Sequence, residues 1–267
     1  MRRQILIGIE CLVFGGLVVA SSSVADLREG LLGHWKLDET SGITAHDSSG
    51  NGHDATLTGK GLTWVPEAGK IKGALSFDGG GDVVVDEKGG DYINGLSVFT
   101  VALWLKSNET TSDRGLISGK DPESESVFAI RYDAAGVRGG GVELIKMDLP
   151  TSGGDQEIES SNNTQTTDWQ HIALTWESGK GFEMYINGVL DEPTFTYDPV
   201  EGVTTEATKL MIGKAGKDIG RSWNGMIDDV RIYSRALERQ EIETLASGRL
   251  SVQPDGKLAV TWASIKR

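Results

Sequence analysis

The chain has a single cysteine among its 267 residues, Cys11. No internal disulfide can form, so an exported form must rely on its apolar core, with metal binding as the remaining cross-link. Positive charge is also scarce: 26 lysines and arginines face 39 aspartates and glutamates, for a net charge of −13. That balance excludes the basic footprint which nucleic acid or an anionic membrane surface requires. It is compatible with divalent cations. Long apolar runs are absent except from Ile5 to Ala20, and that run is interrupted by Glu10. It falls short of the roughly 20 apolar residues of a spanning helix. Motifs that carry common chemistry are missing as well, with no Gly-x-Ser-x-Gly elbow, His-Glu-x-x-His helix or phosphate-binding loop. The four histidines, His34, His46, His53 and His171, are scattered without zinc spacing.

The N-terminus combines a basic start, Met1-Arg2-Arg3-Gln4, with the apolar run and a small-residue segment ending Ser23-Val24-Ala25. This is the layout of a signal peptide, residues 1–25, cut after Ala25 and leading to secretion or the cell surface. Cleavage would remove two positive charges and one negative, taking the net charge from −13 to −14. Cys11 lies inside that segment as apolar filler.

Glycine is abundant, at 36 residues, and seven tryptophans accompany 24% charged residues, which suits a globular chain with many turns. Short alternating runs set the pattern of a sandwich or barrel. Strands are expected at 31–37, 74–77, 82–85, 99–106, 115–119, 127–132, 142–147, 169–176, 182–186, 209–213 and 226–233. In the run 99–106, Phe99, Val101, Leu103 and Leu105 share one face while Ala102 and Trp104 share the other, as in a central strand. Asp78-Gly79-Gly80-Gly81 and Asn187-Gly188 read as hairpin turns. The polar stretches 151–168 and 194–208 read as long surface loops, the first a possible binding edge. A helical stripe of Leu237, Ile242 and Leu245 appears once. A terminal hairpin is expected in 251–262, turning at Pro254-Asp255-Gly256. The domain so delimited runs over 26–248, with 249–267 as a hairpin or tail.

Two features suggest a site. Asp47-Ser48-Ser49-Gly50-Asn51-Gly52-His53-Asp54 concentrates hard oxygen donors on flexible backbone, as calcium prefers, although the same residues make ordinary turns. Asp228 falls by alternation into the row of Met226, Val230 and Ile232, where a carboxylate needs a cation, a metal or several donors. A salt bridge, for instance to Arg231, meets that need as well as a metal does.

Together these segments resemble the laminin-G-like domains of the concanavalin A-like lectin/glucanase superfamily. The resemblance rests on Leu32 to Leu37 with Asp38-Glu39, the Asp47 to Gly52 loop, Ala74 to Gly79, Phe99-Thr100-Val101 with Trp104, Trp169 to Trp176, Tyr185-Ile186-Asn187-Gly188, and Ile227 to Tyr233 followed by Arg235-Ala236-Leu237. It implies an all-β jelly-roll sandwich of two antiparallel sheets with one short C-terminal helix. It also implies a structural calcium site, with Asp38, Asp47, Asn51 and Asp228 as ligands and carbonyls near Gly52 or His53 completing the shell. The Glu-x-Asp-x-x-Glu signature of the superfamily's glucanases is absent. Its nearest approach, Asp155 to Glu159, lacks that spacing and reads as a solvated charge cluster.

The function expected on these grounds is a non-catalytic recognition module for a glycan or an extracellular protein, with Trp64 and Trp223 as candidate sugar platforms. Two alternatives remain open from the sequence: a polysaccharide hydrolase or lyase with atypical acids, and a structural accessory domain of a larger surface protein. Asn108-Glu109-Thr110 and Asn162-Asn163-Thr164 match the N-glycosylation pattern.

Overall fold

Apolar residues at every second position dictate strands with one face toward a shared interior. The computed structural model describes residues 26–85, 93–119, 128–136, 138–205, 209–215 and 221–249. The signal peptide and the terminal hairpin expected from the sequence lie outside them. In chain order the first strands are β1 (Leu31–Trp35), β2 (Thr44–Ala45), β3 (Ala55–Gly59), β4 (Leu62–Val65), β5 (Ala74–Asp78) and β6 (Gly81–Val85). There follow β7 (Val98–Ser107), β8 (Arg114–Ser118), β9 (Ala129–Ala135), β10 (Val142–Leu149) and β11 (Gln156–Glu159). The last are β12 (Gln170–Glu177), β13 (Gly181–Ile186), β14 (Val189–Leu190), β15 (Phe195–Thr196), β16 (Leu210–Ile212) and β17 (Asn224–Tyr233), before the helix α1 (Arg239–Ala246).

These strands form two antiparallel sheets. One runs β14-β13-β12-β7-β17-β5-β4, with β1 also against β17; the other runs β15-β11-β10-β9-β8-β16-β6-β3-β2. The fold is the all-β sandwich expected, with β7 central between β12 and β17. Phe99, Val101, Leu103 and Leu105 enter the core between the sheets, together with Trp35, Trp176, Ile130 and Met147. Ala102 lies on the opposite face of β7, where Leu237 and, from α1, Ile242 and Leu245 cover it with Tyr185 and Tyr233.

The structure corrects several local expectations. The Asp78 to Gly81 turn is no hairpin, because β5 and β6 belong to different sheets and the glycines carry the chain across the sandwich edge. Asn187-Gly188 does make one, with both residues at positive φ and Ile186 opposite Val189. The stretch 151–168 is not wholly loop, since β11 lies within it and all four of its residues are buried. The stretch 194–208 likewise contains β15.

Strand β17 changes neighbours partway along. Asn224 to Ile227 pair with β5, and Val230 to Tyr233 pair with β1. Between these two partners, Asp228 still pairs with Trp104 of β7, and Asp229 and Val230 form a bulge before Arg231 pairs with Ala102, with Asp229 at φ 51°. The bulge breaks strict alternation. Ile227, Val230 and Ile232 belong to the core, so Asp228 is not in their row as the plain period of two suggests.

Candidate functional site

The change of neighbours leaves a notch beside Asp228 and Asp229, and the segment between β4 and β5 folds into it. Ile71 N–H donates to Asp228 Oδ2 at 2.8 Å, and Gly73 N–H donates to Asp38 Oδ1 at 2.9 Å. Asp38, Asp228 and Asp229 line the resulting cavity of about 20 Å³ with Lys36, Ile71 and Lys72. Asp228 is fully buried, and its Oδ1 has no hydrogen-bond partner among the described residues. Burial, reinforced by the charges of Asp229 and Asp38, pushes its carboxyl up to about 8 against the pull of the Ile71 N–H. Asp229 behaves oppositely. Its burial is outweighed by His34, which bonds it at 2.7 Å, and by Arg231, so its carboxyl falls to about 2.

The remaining two residues expected as ligands are used differently. Asp47 Oδ1 accepts the backbone N–H groups of His34 and Ser49, while Oδ2 accepts the Ser49 hydroxyl and the His53 N–H. These bonds outweigh partial burial and hold its carboxyl below the usual range. Asn51 Nδ2 donates to the carbonyls of Leu31 and Leu32. Asp47 and Asn51 thus fasten their loop to β1, while Asp38 and Asp228 share the cavity. Among the described residues no group of three or more histidine, cysteine, aspartate or glutamate side chains could hold a metal.

The two tryptophans singled out from the sequence sit in different surroundings. Trp223 is fully buried, with its ring edge against Tyr132 at 5.1 Å between centroids, so no face reaches solvent. Trp64 is half-buried against the core, and its indole donates to the Gly42 carbonyl at 2.9 Å. His171 is a packed sheet residue, as its position suggests: it is buried edge-on to Trp104, and burial pushes it down to about 3.

The acidic run near β11 is not solvated. Glu157 and Glu159, two apart on one strand, are buried on the same face. Lys146 Nζ lies 2.8 Å from Glu157 and 3.6 Å from Glu159. Arg138 and Gly139 N–H groups cap Glu159 further, and Arg131 bonds Asp148 alongside. Every charge here has a counter-charge, and Glu159 is fully enclosed.

An open cleft occurs elsewhere. It occupies about 550 Å³ between the 161–170 segment, the β13–β14 turn and Asp191. The segment is tightly held. Asp191 accepts the Ser161 N–H and hydroxyl at 2.8 and 2.5 Å; Gln165 donates to the carbonyls of Ser112 and Asp133; Gln170 donates to the Thr164 carbonyl. Among the lining residues, Trp169 is half-buried and Asp168 is exposed. Neither the Trp169 indole nor the Asp168 carboxylate has a hydrogen-bond partner among the described residues. Asn162 and Asn187 each commit only a carbonyl oxygen, to the N–H groups of Val142 and His171. Sequence reading pointed to this loop but not to Trp169, whose position at a strand start gave no sign of exposure.

The two sheets form a jelly roll with a polar cleft among its edge loops. Residues 78–243 match the Laminin_G_3 model, and the chain belongs to this family of the concanavalin A-like lectin/glucanases superfamily. It is 26% identical over 153 residues to the adhesion G-protein coupled receptor V1 of Danio rerio, a match covering 56% of this chain and 2% of the receptor. Among solved structures it resembles domain 4 of AbnA, a GH43 extracellular arabinanase from Geobacillus stearothermophilus, in complex with arabinotriose. That likeness has TM-score 0.57 and 24% identity, covering 81% of this chain and 98% of the domain. A structure of botulinum neurotoxin type C, whose cell entry depends on two ganglioside molecules, aligns with TM-score 0.55 and 15% identity, covering 85% and 53%. At these identities the structural likenesses establish the fold.

Proposed function

We infer that this chain is a non-catalytic recognition module at the cell exterior, binding glycan through the cleft around Trp169. The observation that carries this reading is the cleft itself, held rigid from behind while an aromatic face, amide groups and a carboxylate stand free within it. Such an inventory suits saccharides, which present hydroxyls at their rim and C–H groups on their faces. The arabinotriose complex of the AbnA domain supports a glycan partner. Likeness to an adhesion receptor supports an exterior location and keeps a protein partner as the second reading. Among the described residues no helix is long and apolar enough to cross a membrane. The acid pair on β11, Glu157 and Glu159, is engaged by Lys146, Arg138 and main-chain N–H groups, which favours binding over hydrolysis. A glycan array together with a pull-down from surface proteins tests the reading. Retention on glycans without release of reducing sugar is expected. Blank results in both assays, or sugar release abolished by Glu157→Gln, would overturn it.

We further propose a structural calcium ion at the notch, held by Asp38 and Asp228 with nearby main-chain carbonyls. The free Oδ1 of buried Asp228 beside a second carboxylate fits a hard cation. Such an ion would clasp β1, the 69–73 segment and β17 together. Calcium is expected to raise the melting temperature, and Asp228→Asn to remove most of that rise. At 100 times the dissociation constant the stabilisation is roughly 2.7 kcal/mol. Identical melting in calcium and in chelator would rule the ion out.

A further inference from the structure

We propose that the cleft at Trp169 selects uncharged oligosaccharides and rejects those bearing carboxylate or sulfate. This rests on the glycan reading above and specifies the chemistry of the same site. No lysine or arginine lines the cleft, whereas Asp168 and Asp191 both do. The two carboxylates differ in role. Asp191 spends its oxygens on Ser161 and fixes the loop, while Asp168 has neither a cationic partner nor a donor among the described residues.

An anionic sugar in this space would meet an uncompensated carboxylate with no counter-charge to offset it. Unit charges a few ångströms apart repel by more than thermal energy even in a largely aqueous dielectric. The chain's net charge of −13 adds a long-range field of the same sign. A neutral sugar meets the opposite situation. Its hydroxyls donate to Asp168 as charge-assisted hydrogen bonds, and the free amide N–H groups of Asn162 and Asn187 donate to its oxygens. Its C–H face lies on the half-buried Trp169 ring, whose indole N–H remains available as a further donor. Selection by a like charge in the binding space leaves the wanted ligand unhindered and penalises the unwanted one.

The test uses the full chain from a host that does not add N-glycans, because Asn162 belongs to an acceptor sequence on the cleft. Affinity electrophoresis is run through gels of neutral polysaccharides and of their C6-oxidised, carboxylate-bearing counterparts. Retardation only by a neutral member is expected. Trp169→Ala should weaken it at least tenfold with an unchanged melting temperature. Asp168→Asn should admit the oxidised counterpart, raising its affinity at least fivefold. Preference of the unaltered protein for oxidised or sulfated chains would overturn the charge selection while leaving glycan recognition intact. Neutral binding indifferent to both substitutions would place recognition outside this cleft. Binding to neither class, in a protein shown to be folded, would defeat the glycan reading itself.

Discussion

Single side chains here do work that their residue type alone does not reveal. Asp47 looks like a metal ligand by composition, yet its two oxygens gather four donors from the loop and from β1. Replacing it by alanine leaves partly buried N–H groups unsatisfied, at a cost of about 2 kcal/mol. A shift of the urea midpoint without a change in slope would register this loss. Asp228 titrates with the opposite sign. Its folded-state carboxyl near 8 lies above the ordinary 3.8, so the folded protein holds the extra proton. In chelator its contribution is therefore full at low pH and is lost as pH rises through about 8. Between pH 6.5 and 8 the slope is at most about 1.4 kcal/mol per pH unit. Asp228→Asn is expected to flatten the melting temperature over that window. An unchanged slope would remove Asp228 as its source. His171 acts at the other end, since burial lowers it to about 3 from 6.5. The unfolded chain then binds more protons, and stability falls as pH drops below 6.5.

At the scale of elements, charge patterning was the least legible feature. Glu157 and Glu159 sit in a polar stretch of sequence, and only the pairing of β11 with β10 brings Lys146 between them. Lys146→Met would take the shared cation from two buried carboxylates, leaving Arg138 on Glu157 and main-chain N–H groups on Glu159, and should cost about 3 kcal/mol. Adding Glu157→Gln and Glu159→Gln should recover much of that loss. Chemical denaturation of the single and triple variants measures both, and a neutral single variant would show that water, not Lys146, solvates the pair. Strand β7 was far easier to read, because its apolar residues fill both alternating sets. The Asp78 to Gly81 turn misled for a physical reason. Glycine-rich turns permit a tight reversal, but they equally permit a chain to leave one sheet for another, and only pairing partners distinguish the two.

For the whole molecule, the two sheets place recognition and clasp at different positions. The notch lies where β17 exchanges β5 for β1, while the cleft lies at loops leading into β12 and out of β14. The two sites share no lining residue. Calcium should therefore alter stability more than saccharide affinity. Titration of a bound polysaccharide in calcium and in chelator, at a temperature well below melting, checks this separation. A tenfold loss of affinity on chelation would couple the two sites.

The sequence alone determined an all-β sandwich or barrel, its central strand and the Asn187-Gly188 turn, because alternation and turn chemistry are local and repeat along the chain, and the order of its motifs carried the resemblance to the family. It also marked Asp38, Asp47, Asn51 and Asp228 as unusual. Tertiary structure decided how they divide: a bulge and a change of strand partner put Asp38 and Asp228 around one cavity, while main-chain donors claimed Asp47 and Asn51. It likewise buried Trp223 and left Trp169 half-buried at the edge of a cleft. Burial of a given aromatic depends on which elements pack over it, and that is a property of contacts between residues far apart in the chain.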